Sequence, residues 1–150
     1  MDLENYIQGE SNELPAGYNR VEQVKKYIAE NIATDLTASV VAKKFELSVS
    51  SLQRLFKKYQ GQAYHGYVKD VRMETALFLI TKQGKRISEA MYAAGYNNRA
   101  TFNAAFKKKF KHHPGYFRKW LLTEKLTIWY KIKQNSIKPN AFFLDFGFNS

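Results

Sequence analysis

The sequence predicts an all-α protein in which a long connecting helix joins two helix-turn-helix units, about seven helices in total. Apolar residues recur at the spacing of amphipathic helices through most of the chain. Glycine, proline and capping residues interrupt that spacing where helices would begin and end, and one segment is repeated about fifty residues later. Nothing in the pattern calls for a β-sheet. The 150 residues contain no cysteine, so packing alone has to hold the fold.

The first predicted unit covers about residues 20–61. Helical spacing of apolar residues predicts its first helix over 20–32. Thr37 and Ser48 then each precede a short helix as an N-cap, because a hydroxyl can accept a hydrogen bond from an amide of the first turn. Gly61 closes the second of these helices, since glycine readily takes the left-handed conformation of a C-cap. The apolar positions expected to pack together are Val21, Val24, Ile28, Ile32, Val40, Val41, Phe45, Leu52, Leu55, Phe56 and Tyr59.

A longer helix over about residues 64–82 connects the two units, and Gly84 marks its end. About 18 residues that rise ~1.5 Å each give it a length of ~27 Å. A stiff helix of this length can hold the two units at one separation. Its broad apolar face consists of Tyr67, Val68, Val71, Thr75, Leu79 and Ile80.

The second unit covers about residues 86–119. It begins with a short helix from Ile87 to Ala94, which a turn at Gly95 ends. A second helix runs from Asn98 to Lys109, and Pro114 opens a last short helix, as proline often does at a first helical position.

The second unit repeats the first at an offset of about fifty residues. Each copy is a helix, a tight turn and a second helix. Any pair of amphipathic helices can be aligned in this way, and coincidence is the alternative explanation. The matches are Ser48 with Asn98, Leu52 with Phe102, and Phe56, Lys57 and Lys58 with Phe106, Lys107 and Lys108.

The charge of the chain is strongly basic and unevenly distributed. Lys plus Arg number 24 and Asp plus Glu 13, which gives a net charge of +11 and an isoelectric point near 9.7. Residues 1–17 carry −4, residues 18–119 carry +13 and residues 120–150 carry +2. We therefore expect an acidic flexible lead-in or linker over 1–17, a basic domain with a polyanionic partner over 18–119, and a C-terminal extension over 120–150.

The second helix of each unit has the pattern of a recognition helix that enters the major groove of DNA, with one apolar face and one hydrogen-bonding face. Gln53 carries the donor and acceptor that match adenine, and Arg54 the donors that match guanine. The other interpretations are an idle solvated side chain for Gln53 and an internal ion pair for Arg54. The predicted base contacts are Ser50, Gln53, Arg54, Arg99 and Asn103. The predicted phosphate contacts, which are otherwise a solvated basic face, are Lys57, Lys58, Thr101, Lys107, Lys108 and Lys109.

The connecting helix and its turns can set the two recognition helices ~34 Å apart, which is one turn of DNA. One chain can then read two adjacent major-groove segments of the same duplex. Because the two helices differ in sequence, the expected site is asymmetric, and a rigid connector favours bending of the DNA toward the protein.

Other classes of function find no support in the sequence. No run approaches the ~18–20 apolar residues that cross a bilayer, and the acidic start does not resemble a secretory signal. We therefore expect a cytoplasmic protein without a membrane partner. The spacing of His65, His112 and His113 does not match a metal site, and we interpret them as exposed histidines near DNA phosphate. No nucleophile elbow, phosphate-cradling glycine loop or carboxylate pair is found, so we expect no enzyme activity, no metal and no cofactor.

These residues resemble the AraC/XylS family of bacterial transcription regulators over about residues 21–119. The resemblance implies a seven-helix domain, sequence-specific promoter binding and contact with RNA polymerase, with activation more common than repression. The positions similar to the family signatures are Ala42, Ser48, Leu52, Arg54, Phe56, Lys57 and Gly61, then Tyr67 and Arg72, then Ile87, Glu89, Gly95, Tyr96, Phe102, Phe106, Lys107, Lys108, Pro114, Phe117 and Arg118.

The chain departs from the family pattern in its second unit. Ala90 and Met91 stand where a bulky residue followed by alanine is usual, Ala104 replaces a common arginine, and Lys111 replaces a glycine. We therefore expect the first recognition helix to dominate base specificity and the second to contribute mainly phosphate contacts.

The residues beyond 120 lie outside the family pattern. Their apolar side chains either cover the domain or form a patch for self-association or for a protein partner. They are Leu122, Leu126 and Trp129 on one predicted helical face, and the cluster Phe142, Phe143, Phe146 and Phe148.

The sequence as a whole predicts a nucleoid-associated transcription regulator that binds double-stranded DNA as a monomer. Its activity would follow its abundance, unless the chain is the output end of a longer sensor. One alternative is a helical interaction module that has lost sequence-specific DNA reading, as Ala104 and the aromatic tail suggest. The other, suggested by charge alone, is a general binder of RNA or of anionic surfaces.

Overall fold

A computed structural model of the chain describes residues 15–120, and within this range seven α-helices follow one another without a strand. The all-α class and the predicted number of helices are confirmed. Most of the predicted lead-in, residues 1–14, and the extension 121–150 with its aromatic cluster lie outside the described residues. The helices are α1 (Ala16–Glu30), α2 (Ala38–Lys44), α3 (Val49–Gln60), α4 (Tyr64–Thr81), α5 (Ile87–Ala93), α6 (Arg99–Phe110) and α7 (Pro114–Trp120).

The predicted N-cap of α3 is present, and the residue that matches it in the repeat caps α6. The Ser48 hydroxyl accepts a hydrogen bond from the Ser51 amide at 3.1 Å, and the Asn98 side chain accepts one from the Thr101 amide at 2.9 Å. Gly61 ends α3 in the left-handed conformation, with φ at 71°. The two helices therefore begin in the same way at repeated positions, as the offset of fifty residues predicts.

Thr37 precedes α2 as predicted, but its side chain does not cap the helix. The Thr37 hydroxyl lies 3.4 Å from the hydroxyl of Ser39, within hydrogen-bond distance. The Thr37 amide donates to the carboxylate of Asp35 at 2.9 Å. The prediction gave the right position for the start of α2 and the wrong role for the threonine hydroxyl.

The first helix begins at Ala16 rather than at residue 20, so the predicted lead-in over 1–17 extends too far. The Pro15 carbonyl already accepts hydrogen bonds from the amides of Tyr18 and Asn19. A Cβ atom on Gly17 would lie 3.1 Å from the ring of Tyr59 on α3. The start of α1 therefore packs closely on α3.

Two buried clusters divide the domain, and α4 contributes to both. The division along α4 falls between Val71 and Met73. Ala90 and Met91, which depart from the family pattern, are both buried in the second cluster. The first cluster contains Val21, Val24, Ile28, Leu36, Val41, Ala42, Leu52, Phe56, Tyr64, Tyr67, Val68 and Val71. The second contains Met73, Ala76, Leu77, Ile80, Ala90, Met91, Ala94, Phe102, Ala105, Phe106, Phe110 and Phe117.

Candidate nucleic-acid interface

Helix α3 packs against the first cluster through Leu52 and Phe56 and presents a polar outer face. A helix turns ~100° per residue, so residues three and four apart share a side. The exposed residues of the outer face are Ser50, Arg54, Lys57 and Lys58, all of them predicted contact residues.

Arg54 is exposed and forms no ion pair within residues 15–120. This argues against the alternative in which an internal carboxylate holds its guanidinium. The side chain is therefore accessible to solvent, and its base contact stays a prediction.

Gln53 is half-buried at the edge of the same face. Its side-chain oxygen accepts a hydrogen bond from the Tyr64 amide, the first amide of α4, at 3.4 Å. Adenine recognition uses both the oxygen and the nitrogen of a glutamine. The contact with Tyr64 uses one acceptor site of this oxygen, so Gln53 links α3 to α4, and its base contact stays a prediction.

Helix α6 repeats this arrangement in the second unit with fewer groups suited to reading bases. Its buried side is aromatic, with Phe102, Phe106 and Phe110 in the second cluster. Asn103 is half-buried, and Ala104 is exposed on the outer face without a polar group. The other exposed predicted contacts are Arg99, Thr101, Lys107 and Lys108.

The structure corrects the prediction for Lys109, because its ammonium group points into the protein. Lys109 Nζ lies 2.8 Å from Asp70 Oδ1 and 3.4 Å from Glu74 Oε1, both on α4. The side chain of Lys109 is 14% exposed and that of Glu74 only 3%. A phosphate contact by Lys109 is therefore wrong, and its role is to fasten α6 to the connecting helix.

A groove of about 810 Å³ lies between the first unit and α6. Asp35, Thr37 and Ala38 of the first unit line one wall, and Thr101, Ala104 and Lys108 of α6 line the other. The floor comes from α4, with His65, Lys69 and Arg72 among its residues. The cationic side chains that line it outnumber the single carboxylate of Asp35, so the groove favours anions.

Lys69 is a candidate contact that the sequence analysis missed. His65, Lys69 and Arg72 follow one another at spacings of four and three residues, which places them on one face of α4. That spacing was readable in the sequence. The apolar residues of the connecting helix form a more prominent pattern and obscure this spacing.

Two tyrosines in the groove remain neutral. Burial raises the pKa of Tyr64 well above its usual range, and burial also raises the pKa of Tyr96. The Tyr64 hydroxyl donates a hydrogen bond to the Leu36 carbonyl at 2.9 Å. Both hydroxyl groups therefore ionise at a higher pH than that of an exposed tyrosine.

A family model described as a helix-turn-helix domain matches residues 41–119, which is more than half of the chain. The matched segment includes α3, the connecting helix and α6, the elements that build the candidate interface. The chain belongs to the AraC-type helix-turn-helix family.

Several relatives and solved structures that are similar to the chain are transcription regulators. The Msm operon regulatory protein of Streptococcus mutans is 34% identical over 110 residues, which cover 73% of this chain and 39% of that protein. The transcriptional activator RhaS of Mannheimia succiniciproducens is 25% identical over 103 residues, 66% of this chain and 38% of that protein. The chain thus spans about two fifths of the length of the curated relatives it matches.

A solved structure with the same fold is the C-terminal domain of AraT, a response regulator from Geobacillus stearothermophilus. It is 29% identical with a TM-score of 0.63, and the match covers 67% of this chain and 84% of that chain.

The departures from the family signatures have visible structural consequences. Lys111 occupies a left-handed position at the end of α6, with φ at 64°, at the position where the family resemblance leads us to expect glycine. A lysine tolerates this conformation at a cost of about 1 kcal/mol relative to glycine. Its ammonium group donates to the Lys108 carbonyl at 3.2 Å, which satisfies one carbonyl at the helix end.

Residues 15–120 contain neither a membrane-spanning helix nor a metal site. No helix between residues 15 and 120 is long and apolar enough to span a bilayer. Over the same residues, no three histidine, aspartate or glutamate side chains converge as a metal site requires.

Proposed function

We propose that the chain regulates transcription by binding one asymmetric site on double-stranded DNA with both of its recognition helices. The observation that carries the proposal is that α3 and α6 each expose a polar face, with a groove lined by more cations than carboxylates between the first unit and α6. Membership of the AraC-type helix-turn-helix family supports DNA as the polyanion.

The two recognition helices contribute differently to specificity. Arg54 is exposed and unpaired within the described range, so its guanidinium can donate two hydrogen bonds to guanine. Ser50 and the amide donors of Gln53 add contacts from the same helix. On α6, Ala104 offers no hydrogen bond, so Arg99 and Asn103 are its base contacts.

Phosphate contacts come from the exposed cations around these faces. Lys57 and Lys58 flank α3, and Thr101, Lys107 and Lys108 flank α6. The groove between the first unit and α6 accommodates the sugar-phosphate backbone that runs from one half of the site to the other. Its candidate contacts are His65 and Lys69, which lie on its floor.

The biological setting follows by analogy with relatives. Activation is favoured over repression, because relatives such as RhaS carry the name of a transcriptional activator. The proposal also includes contact with RNA polymerase, binding of DNA as a monomer and a nucleoid-associated location in the cytoplasm. The alternative to binding as a monomer is self-association through residues 121–150, which the same binding experiments would measure as cooperative binding.

A selection of duplexes from a random pool tests the proposal. The wild-type chain should enrich one asymmetric sequence over random competitor DNA at physiological salt. Arg54→Ala should cost about 1–3 kcal/mol at one base position of that sequence and little at the others. Lys108→Ala should weaken all duplexes similarly and reduce the salt dependence of binding by about one phosphate.

A matched control separates these effects from loss of surface charge. Lys26 is exposed on α1, outside both outer faces and the groove. Lys26→Ala should leave both sequence preference and salt dependence near their wild-type values. Equal effects of Arg54→Ala and Lys108→Ala on every sequence would contradict the division between base and phosphate contacts.

The second candidate function is a protein-interaction module, favoured by the absence of a polar group at Ala104. It predicts no enrichment over random competitor and no effect of Arg54→Ala. A general binder of RNA or anionic surfaces predicts instead that structured RNA or anionic vesicles bind as tightly as duplex DNA at physiological salt.

A further inference from the structure

We infer that a junction of Arg72, Gly95 and Tyr96 fixes the separation of the two helix-turn-helix units and thereby selects one spacing between the two halves of the DNA site. The inference rests on the proposed function and adds to it the residues that decide spacing. They join the connecting helix, the turn after α1 in the first unit and the turn after α5 in the second.

Arg72 fastens the connecting helix to the first unit. Its Nε donates a hydrogen bond to the Ile32 carbonyl at 3.2 Å, and a terminal nitrogen donates to the Thr34 carbonyl at 2.9 Å. Both carbonyls belong to the turn that follows α1. Two bonds from one planar guanidinium restrain both the position and the orientation of that turn.

The second unit meets the same point through Gly95 and Tyr96. The Arg72 guanidinium lies 6.0 Å from the centre of the Tyr96 ring, over its face. A Cβ atom on Gly95 would lie 2.7 Å from the Ile32 carbonyl oxygen and 3.1 Å from Arg72 Nε. The glycine therefore lets the turn of the second unit approach the backbone of the first.

The connecting helix by itself leaves the relative orientation of the units open. The two buried clusters share no residue, and each takes a different part of α4. Small bends and twists of a helix of 18 residues move its ends relative to each other. The junction at Arg72 opposes such bending, because it holds the two turns against the middle of the helix.

A fixed separation has a measurable consequence on DNA. Inserting one base pair moves the second half of a site by ~3.4 Å and rotates it by ~35° about the duplex axis. A domain with a rigid junction cannot follow this change without losing contacts. A domain with a loosened junction can follow it in part, at the cost of affinity for the original site.

The test uses the full chain and the duplex that it enriches from the random pool. Duplexes that are one or two base pairs longer or shorter in the centre form the series. The wild type should prefer the original spacing by about tenfold or more, comparable to the loss of one base contact. Arg72→Met, which keeps an apolar stem, and Gly95→Ala should reduce that preference to about threefold or less.

Gly84→Ala is the matched control for Gly95→Ala. Both glycines have positive φ, 63° at Gly84 and 85° at Gly95, so alanine is strained at either position. A Cβ atom on Gly84 would meet nothing within 4 Å. Gly84→Ala should therefore lose some stability and keep the wild-type spacing preference. A loss of spacing preference in Gly95→Ala alone would then come from the junction and not from backbone strain.

The outcomes distinguish a failure of the proposed function from a failure of the junction. If the wild type enriches no sequence, the proposed function fails. If it enriches a sequence and is indifferent to spacing, or if folded Arg72→Met keeps the full preference, the junction does not set the spacing while the proposed function stands. Helical circular dichroism and cooperative thermal unfolding establish folding, and Arg72→Met decides the matter if Gly95→Ala does not fold.

Discussion

Replacing Lys109 by methionine should destabilise the domain far more than replacing either lysine beside it. Lys107, Lys108 and Lys109 look equivalent in the sequence, yet only Lys109 is directed into the protein. Methionine keeps the apolar stem and removes the ammonium group, so Lys109→Met isolates the ion pairs with Asp70 and Glu74.

The expected magnitude follows from the burial of the three charges. Removing one partner of a buried ion pair costs about 3–5 kcal/mol, because the other charge remains in the interior. Glu74 is 3% exposed, whereas Asp70 is 42% exposed and stays in contact with water. We therefore expect a loss of up to about 3 kcal/mol in the free energy of unfolding, mainly because the buried Glu74 carboxylate loses the Lys109 ammonium group as one of its partners.

Thermal and urea unfolding followed by circular dichroism measure this loss. For a domain of this size, about 3 kcal/mol lowers Tm by roughly 15 °C. Lys107→Met and Lys108→Met should change the free energy of unfolding by less than about 0.5 kcal/mol, as is usual at exposed positions. Adding Glu74→Gln to Lys109→Met should recover at least about 1 kcal/mol, because no negative charge then remains at that buried position.

DNA binding supplies the result that would refute this reasoning. If Lys109→Met is as stable as Lys108→Met and lowers the salt dependence of binding by about one phosphate, Lys109 contacts DNA and the internal pairs are unimportant. The structure predicts the reverse for both measurements.

Three further predictions concern the helix ends and the buried tyrosines. Lys111→Gly should stabilise the domain by up to about 1 kcal/mol in urea unfolding, because glycine takes the left-handed position without strain; no gain would indicate that the lysine side chain compensates. Ser48→Ala should cost about 1 kcal/mol and Thr37→Ala much less, since only the serine hydroxyl caps its helix; equal losses would contradict the cap assignment. Stability should decline above about pH 10, because Tyr64 and Tyr96 have raised pKa values in the folded domain and ionise first in the unfolded chain. Tyr64→Phe should make that decline shallower, and an unchanged pH profile would count against it.

The sequence by itself determined the elements and their order. The start of α3 at Ser48, its end at Gly61 and the opening of α7 at Pro114 depend on interactions within one helical turn, so they can be read from neighbouring residues. The repeat at fifty residues and the charge of the middle segment likewise need no coordinates. Together with the family signatures they predicted the fold and the kind of partner.

The tertiary structure decided what individual side chains in those elements do. Whether Lys109 faces solvent or a carboxylate depends on Glu74, which lies 35 residues earlier in the chain. The contact of Gln53 with the first amide of α4 and the approach of Gly95 to Ile32 likewise join segments that are distant in sequence. Local spacing determines which side of a helix a residue occupies, whereas packing of the helices determines what that side meets. For this reason the sequence predicted two recognition helices, and only the structure showed the junction that joins their units.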